Sequence, residues 1–199
     1  EVTERPGFVK GSLNPYDYLC VDNWPFLLCY FDGKRKPPTP AENLLASLRT
    51  FADCAERPKQ GGYFLGFQAY ETWARDLRDD GFYETCTDEQ MARRFSVNQF
   101  CMLALQDARG AAHVYLSDAL TWFADDSLSR IAERFKRIAG LALDMHRMLD
   151  SGMALDGPQS RRFWTPEKRR KQADALDEMA RLEREALADA RSLLANRDS

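Results

Sequence analysis

The feature that most constrains the fold of this chain is a run of apolar residues spaced alternately three and four positions apart. The run comprises Leu128, Ile131, Phe135, Ile138, Ala142, Met145 and Leu149. Residues with this spacing share one face of an α-helix, whereas a strand has a period of two. Such a face has to be covered by other apolar surface, so the run predicts a helix in a bundle or a coiled-coil-like seam. Asp126 is the predicted cap at its start.

Helix start signals predict further helices before this run. Thr39-Pro40-Ala41-Glu42 combines a capping box with a proline at the first helical position, and an apolar stripe follows as far as Ala55. A second helix is predicted at about 64–79, ended by Gly81. Capping boxes at 87–90 and 96–99 predict a short helix and then a long one, which runs to about 124 with a bend near Gly110.

The last predicted helix spans about 166–196 and begins at Thr165-Pro166-Glu167. Its inward residues are predicted to be Ala173, Leu176, Ala180, Leu187, Ala190 and Leu194. The segment between this helix and the preceding one, 151–162, is predicted to be a Gly/Pro loop.

The beginning of the chain differs from the rest. Residues 1–23 are predicted to be loop, Trp24–Phe31 a buried strand, and Asp32-Gly33 a hairpin turn before Pro37-Pro38 stops the pairing. We therefore expect a mostly α fold, a helical bundle or array with one small β-hairpin near the N-terminus. It would form a single domain over 1–199, with loop and hairpin at 1–38 and helices at 39–196.

Composition narrows the class of protein. The net charge is −3, from 28 basic and 31 acidic residues, so we expect no general attraction to nucleic acid. Two histidines and five unpatterned cysteines predict reduced thiols and no metal or cofactor site. No apolar run is long enough to span a bilayer, and the start resembles no targeting peptide, so a cytoplasmic location and no membrane partner are expected. The chain begins at Glu1 without Met, which indicates a trimmed chain or a fragment.

Four basic clusters recur along the chain. They are Lys34-Arg35-Lys36, Arg93-Arg94, Arg161-Arg162 and Lys168-Arg169-Arg170-Lys171. Because acidic residues accompany each cluster, solvated turns and helix ends are expected rather than a groove for nucleic acid.

The most unusual segment is Tyr63–Leu77, which combines five aromatic residues with Gln68, Glu71 and Arg75. An aromatic stripe is core more often than cofactor site, but bulky rings also leave cavities. If Glu71 is buried it needs a partner, from Arg75, Asn98 or Arg109. The candidate ligand-binding residues are therefore Phe67, Tyr70, Glu71, Trp73, Asn98 and Arg109. A catalytic pair such as Cys20 with His113 has no support in the spacing, and the catalytic residues are left unknown.

Three stretches carry a resemblance to a bacterial family. They are Phe31–Pro38 with Glu42–Leu45 and Ser47–Arg49; then Gly66–Leu77; then Asn98, Asp107–Arg109, Ala112 and Tyr115–Leu116. Over about 24–120 the chain resembles the helical C-terminal portion of papain-like, bacteriocin-processing-type cysteine peptidases and butirosin biosynthesis protein H-like proteins. That resemblance implies cysteine-dependent acyl chemistry, namely peptide cleavage or acyl transfer. The family's nucleophilic cysteine lies in an N-terminal helix that this sequence lacks, so no catalytic residue is carried over.

Three functional hypotheses follow. The first is a non-catalytic helical module that binds a small molecule or a partner domain through an aromatic-rich cavity. The second is a cysteine-dependent peptidase or acyltransferase, or the helical half of one. The third is a structural helical protein that forms homodimers through the seam from Leu128 to Leu149 and the charged last helix.

Overall fold

The structure is a computed structural model that describes residues 36–57, 59–60 and 62–198. The helices described below belong to one compact unit, Pro38–Ser199, and the other unit of the chain is Glu1–Pro37. The predicted loop at 1–23 and the predicted hairpin formed by Trp24–Phe31 and Asp32-Gly33 lie outside the described residues.

Seven helices and two short strands follow one another in the described part of the chain. They are α1 (Pro40–Ala55), β1 (Lys59–Gln60), β2 (Tyr63–Phe64), α2 (Gly66–Arg78), α3 (Asp80–Glu84), α4 (Asp88–Ala119), α5 (Asp126–Leu149), α6 (Gly157–Phe163) and α7 (Pro166–Asp198). The predicted mostly α-helical array is confirmed. No described helix has a stretch both long and apolar enough to cross a bilayer.

The segment between α1 and α2 forms a short antiparallel strand pair where the sequence predicted only a break. Lys59 pairs with Phe64, and Gln60 pairs with Tyr63. The helix predicted at about 64–79 is present, but it begins two residues later than predicted, at Gly66 with φ +52°. A Cβ at Gly66 would lie 2.0 Å from the carbonyl oxygen of Ala55, so this glycine allows the start of α2 to touch the end of α1.

The helix predicted to end at about 79 ends at Arg78, but the residue expected to end it is wrong. Gly81 does not end the helix but lies within α3. The break falls at Asp79, whose side chain accepts a 3.1 Å hydrogen bond from the backbone N–H of Phe82 and so caps α3.

The two helices predicted from 87 to about 124 are a single helix. Thr87 and Gln90 form the capping box, and α4 then continues through Ser96 and Gly110 to Ala119. The second predicted capping box is wrong because the Gln99 side chain donates to the carbonyl of Leu149 at 2.7 Å instead. Asp125 rather than Asp126 caps α5.

The predicted loop at 151–162 contains α6. Asp156 and Gln159 form its capping box, and Gly157 packs on the backbone of α4. A Cβ at Gly157 would lie 2.2 Å from the carbonyl oxygen of Asp88. Gly157, which suggested a loop, therefore allows α6 to pack closely against the first turn of α4.

The longest helix, α7, lies at the centre of the unit and packs against α5, α2 and α1. Its predicted inward residues are all buried. The core forms two apolar clusters: a larger one around Phe95, Met102 and Trp164, and a second one around Leu44, Leu128 and Ile131. All seven residues of the Leu128–Leu149 seam are buried in these clusters. That seam is therefore used within the unit.

Candidate functional site

A buried triad of polar side chains joins α2, α4 and α7. The hydroxyl of Tyr70 donates to Oε1 of Glu183 at 2.7 Å and accepts from Nη2 of Arg109 at 3.2 Å. Nε of Arg109 donates to the same Glu183 oxygen at 2.5 Å. Tyr70 and Glu183 are buried, and Arg109 is partly exposed.

The triad separates the two apolar clusters. On α7, Leu182 belongs to the larger cluster and Ala186 to the second, with Glu183 between them. On α4, Met102 and Leu116 bracket Arg109 in the same way. A buried charge is tolerated only when it is paired and hydrogen-bonded, so the triad fixes the register of α4 against α7.

The electrostatics of the triad follow from burial. Burial, and then the nearby Glu183 carboxylate, raises the pKa of Tyr70 far above the ordinary tyrosine value. Burial works against the charge on Arg109, but the attraction of the Glu183 carboxylate and the hydrogen bonds to Glu183 and Tyr70 outweigh it and raise the pKa of Arg109. The Tyr70 hydroxyl and the Arg109 guanidinium are therefore both held in their protonated forms. In these forms both can donate hydrogen bonds to Glu183 and so join the three helices.

A second polar network joins α2, α4 and α7 to the end of α6. Nε1 of Trp73 donates to Oδ1 of Asn98 at 2.9 Å, and Nε2 of Gln172 donates to the same oxygen at 2.9 Å. Gln172 in turn accepts from Nδ2 of Asn98 at 3.2 Å and from Nε1 of Trp164 at 3.4 Å. The network satisfies the polar groups of two indoles and two buried amides.

Beside this network is a cleft of about 500 Å³, which we call the aromatic cleft. Its ring-bearing walls are Trp73, Phe82, Tyr83 and Trp164. Tyr83 and Trp164 meet edge to face at a centroid distance of 5.1 Å, and Phe82 and Tyr83 do so at 5.3 Å. Such rings present a large apolar surface with fixed geometry.

The polar groups of the aromatic cleft are mostly engaged already. The guanidinium of Arg94 stacks on the ring of Phe82 at 3.5 Å, donates to the Phe82 carbonyl at 3.0 Å and contacts Sγ of Cys86. Asp76 is paired with Arg75 at 2.9 Å. Arg93, which also lines the cleft, is exposed and forms no ion pair with any described residue. The charge that the cleft offers to a ligand is therefore positive.

The six site residues predicted from the sequence lie at three different places in the structure. Trp73 and Asn98 line the aromatic cleft, and Tyr70 and Arg109 belong to the triad. Phe67 and Glu71 lie at the edge of α2, where both contact Arg184 of α7.

Glu71 is not the buried carboxylate that the sequence suggested. It is exposed and pairs with Arg184 rather than with Arg75, Asn98 or Arg109. The buried carboxylate is Glu183, and Arg109 is its partner. Arg109, one of the three candidate partners for Glu71, thus pairs with a different carboxylate.

The expectation that the basic clusters are solvated is wrong for two arginines. Arg169 is buried, stacks on the Tyr83 ring at 4.2 Å and donates to Asp80 at 2.7 Å. Arg161 donates to the Tyr83 carbonyl at 3.0 Å and pairs with Asp88 at 3.0 Å. These side chains hold α6 and α7 to α3 and to the start of α4.

Sequence reasoning missed Glu183, Gln172 and Trp164. A signal was present for Glu183, because it falls within the three–four spacing of Leu176, Ala180, Leu187 and their neighbours. A carboxylate in an apolar stripe indicates a buried ion pair. Because α7 carries many charged residues, the one charged residue within its apolar stripe, Glu183, did not stand out in the sequence.

Among the described cysteines, Cys54 and Cys101 are exposed and Cys86 is buried. Cys101 lines the aromatic cleft, and partial burial raises the pKa of its thiol. His113 hydrogen-bonds with Ser117 at 3.3 Å. Within the part of the chain that the structure describes, no group of three or more His, Cys, Asp or Glu side chains converges as metal ligands would. Cys20 and Cys29 lie outside the described residues.

Comparison with protein-family models, with curated proteins and with solved structures gives no match in any of the three.

Proposed function

We propose that this chain is a non-catalytic binding module whose aromatic cleft takes a planar aromatic group of a small molecule, preferably one that carries a negative charge. The observation that carries the proposal is the cleft of about 500 Å³ with walls from Trp73, Phe82, Tyr83 and Trp164. A volume of this size suits a small ligand, and clefts of this kind use apolar walls with a few polar groups for orientation.

The preference for an anion follows from the charges at the cleft. Arg93 and Arg94 line it, whereas the Asp76 carboxylate is already paired with Arg75. An anionic substituent near the rim gains attraction to two guanidinium groups, and a cationic one is repelled.

The test uses three probes that share one ring system and differ in charge: indoleacetate, indole and tryptamine. Binding is followed by saturation-transfer NMR on the full chain. We expect indoleacetate to bind more tightly than indole, and indole more tightly than tryptamine. The Trp73→Leu variant should lose binding, and the matched Trp122→Leu variant, which alters an exposed indole outside the cleft, should retain it.

Failure of all three probes to bind at millimolar concentration contradicts the proposal. Equal loss of binding in the Trp73 and Trp122 variants places the probes elsewhere on the protein and contradicts it as well.

A further inference from the structure

The outward face of α4 is apolar although the helix already buries its opposite face. Val97, Phe100 and Val114 are 55%, 70% and 66% exposed, respectively. On the inward face, Phe95 and Met102 are buried in the larger cluster. A helix that covers one core needs one apolar face, and a second exposed one marks an interaction surface.

The exposed residues form a regular seam, which we call the outer seam. It consists of Val97, Phe100, Ala104, Asp107, Ala111 and Val114, all of them exposed. Their steps alternate between three and four, as do the first and fourth positions of a coiled-coil heptad. The Leu128–Leu149 seam has the same spacing but is buried, whereas the residues of the outer seam are exposed among the residues that the structure describes.

Charges of opposite sign continue the outer seam in the same spacing at its two ends. Arg93 precedes it by four residues and Asp118 follows it by four. Both are exposed, and neither forms an ion pair with a described residue; the Asp118 carboxylate accepts only a 3.4 Å hydrogen bond from Trp122. Arg93 and Asp118 are 25 residue steps apart, which at 1.5 Å per step is about 37 Å along the helix.

We propose that two copies of this chain associate through the outer seam, with their α4 helices antiparallel. In the symmetric register, Arg93 of each copy lies opposite Asp118 of the other, so both ends of the interface carry an ion pair. A parallel arrangement would instead place like charges together. The charges therefore select the direction of pairing.

The same register also matches side-chain sizes. Phe100 lies opposite Ala111 of the second copy, and Val97 lies opposite Val114. Large residues against small ones allow two helices to approach to the usual 8–10 Å. Asp107 lies opposite Ala104, where the small side chain leaves its carboxylate open to water. A polar residue at one seam position fixes the register at some cost in stability.

This proposal does not rest on ligand binding by the aromatic cleft. Arg93 and Val97 border both surfaces, whereas Phe100 and Val114 do not line the cleft. The association is therefore measured without ligand, and the disrupting substitutions are placed at the last two residues.

The first experiment is sedimentation equilibrium of the full chain across the micromolar range. We expect a monomer–dimer equilibrium that Phe100→Glu and Val114→Glu each weaken by about tenfold or more, because each buries an unpaired charge. Tyr63→Glu is the matched control, since Tyr63 is 79% exposed and lies in β2, outside α4. All three variants should keep the circular dichroism and melting temperature of the wild type, because the substituted side chains are exposed.

The second experiment tests the direction of pairing. Arg93→Asp and Asp118→Arg should each weaken the dimer, and the double variant should restore it, because an antiparallel pair then regains both ion pairs. A monomer at every concentration overturns the proposal. So does a dimer that withstands Phe100→Glu. A dimer that the double variant fails to restore overturns the antiparallel register.

Discussion

The hydroxyl of Tyr70 on α2 donates a 2.7 Å hydrogen bond to the buried carboxylate of Glu183 on α7, 113 residues away in the sequence. Arg109 completes the triad from α4. Three helices are therefore joined at one polar point between two apolar clusters, and the consequences can be measured.

The first prediction concerns the cost of breaking the triad. Arg109→Met leaves the Glu183 carboxylate buried without its counter-charge and should lower the free energy of unfolding by about 3 kcal/mol or more. Tyr70→Phe removes one hydrogen bond to a charged group and should cost about 2 kcal/mol. Urea unfolding followed by circular dichroism measures both values.

The control for the triad is Arg75→Ala, which breaks an ion pair whose side chains are 72% and 50% exposed. It should cost about 0.5 kcal/mol or less. The double variant Arg109→Met/Glu183→Leu should recover part of the loss, because no charge is then left unpaired. Additive losses in the double variant would contradict the assigned pairing.

The second prediction concerns alkaline pH. Burial raises the pKa of Tyr83 to about 12, and burial followed by the Glu183 carboxylate raises that of Tyr70. In the unfolded chain a tyrosine ionises near pH 10, so the unfolded state loses these protons first. The contribution to stability is therefore complete below about pH 10 and falls as the pH rises toward 12.

Urea unfolding at a series of pH values tests this, with a loss of up to about 1.4 kcal/mol per pH unit for each tyrosine. The Tyr70→Phe/Tyr83→Phe variant should show a flatter profile above pH 10. Identical slopes for the two proteins would show that these tyrosines do not cause the alkaline loss.

The third prediction compares two members of the amide network. Gln172→Leu removes the acceptor for Nδ2 of Asn98 and Nε1 of Trp164, leaving buried donors without a partner, and should cost about 2–3 kcal/mol. Trp73→Phe should cost only about 1 kcal/mol, because Oδ1 of Asn98 still accepts from Gln172. Thermal unfolding of the two variants shows which substitution costs more stability. A larger cost for Trp73→Phe than for Gln172→Leu would contradict the network.

The fourth prediction concerns two glycines in opposite situations. Gly66→Ala combines φ +52° with a Cβ placed 2.0 Å from the Ala55 carbonyl, and should cost more than about 2 kcal/mol. Gly140→Ala lies within α5 with open space around the new methyl group, and should stabilise by about 0.5–1 kcal/mol. Melting temperatures that shift in the same direction would contradict this account.

The fifth prediction concerns the thiols and tests the cysteine-dependent alternative. Because burial raises the pKa of Cys101, its alkylation rate should climb at a higher pH than that of a free thiol and be slow at pH 6. Cys86 should react only on unfolding. Peptide-resolved alkylation with iodoacetamide reports each site, and rapid labelling of any cysteine at pH 6 would favour an activated nucleophile.

The sequence was informative where local chemistry decides the structure. Thr39 and Pro166 mark helix starts because capping and proline geometry act within one turn. It was misleading at Ser96–Gln99, where a capping pattern occurs inside a helix that tertiary packing keeps continuous. It also misled at Gly157, whose missing side chain serves a close approach to Asp88 rather than a loop.

The candidate site was only partly predictable for a related reason. The aromatic stripe identified Tyr70 and Trp73, but Glu183, the partner of Tyr70, lies 113 residues later. Gln172, which binds the same Asn98 oxygen as Trp73, lies 74 residues after Asn98. Periodicity shows which residues share a face, but not which face of another helix they meet. Arg169 illustrates this limit, because its burial against the Tyr83 ring, and not its sequence context, distinguishes it from the exposed Arg170.

The central position of α7 has a consequence for synthesis of the chain. This helix lines both apolar clusters, yet it is the last of the seven helices in the described residues to leave the ribosome. At about 5–20 residues per second, the apolar stripe of α1 emerges roughly 7–30 s before α7 is complete. The stripes of α1, α2 and α5 thus form a transient surface that nascent-chain chaperones would meet, and the unit can close only after its final helix has been made.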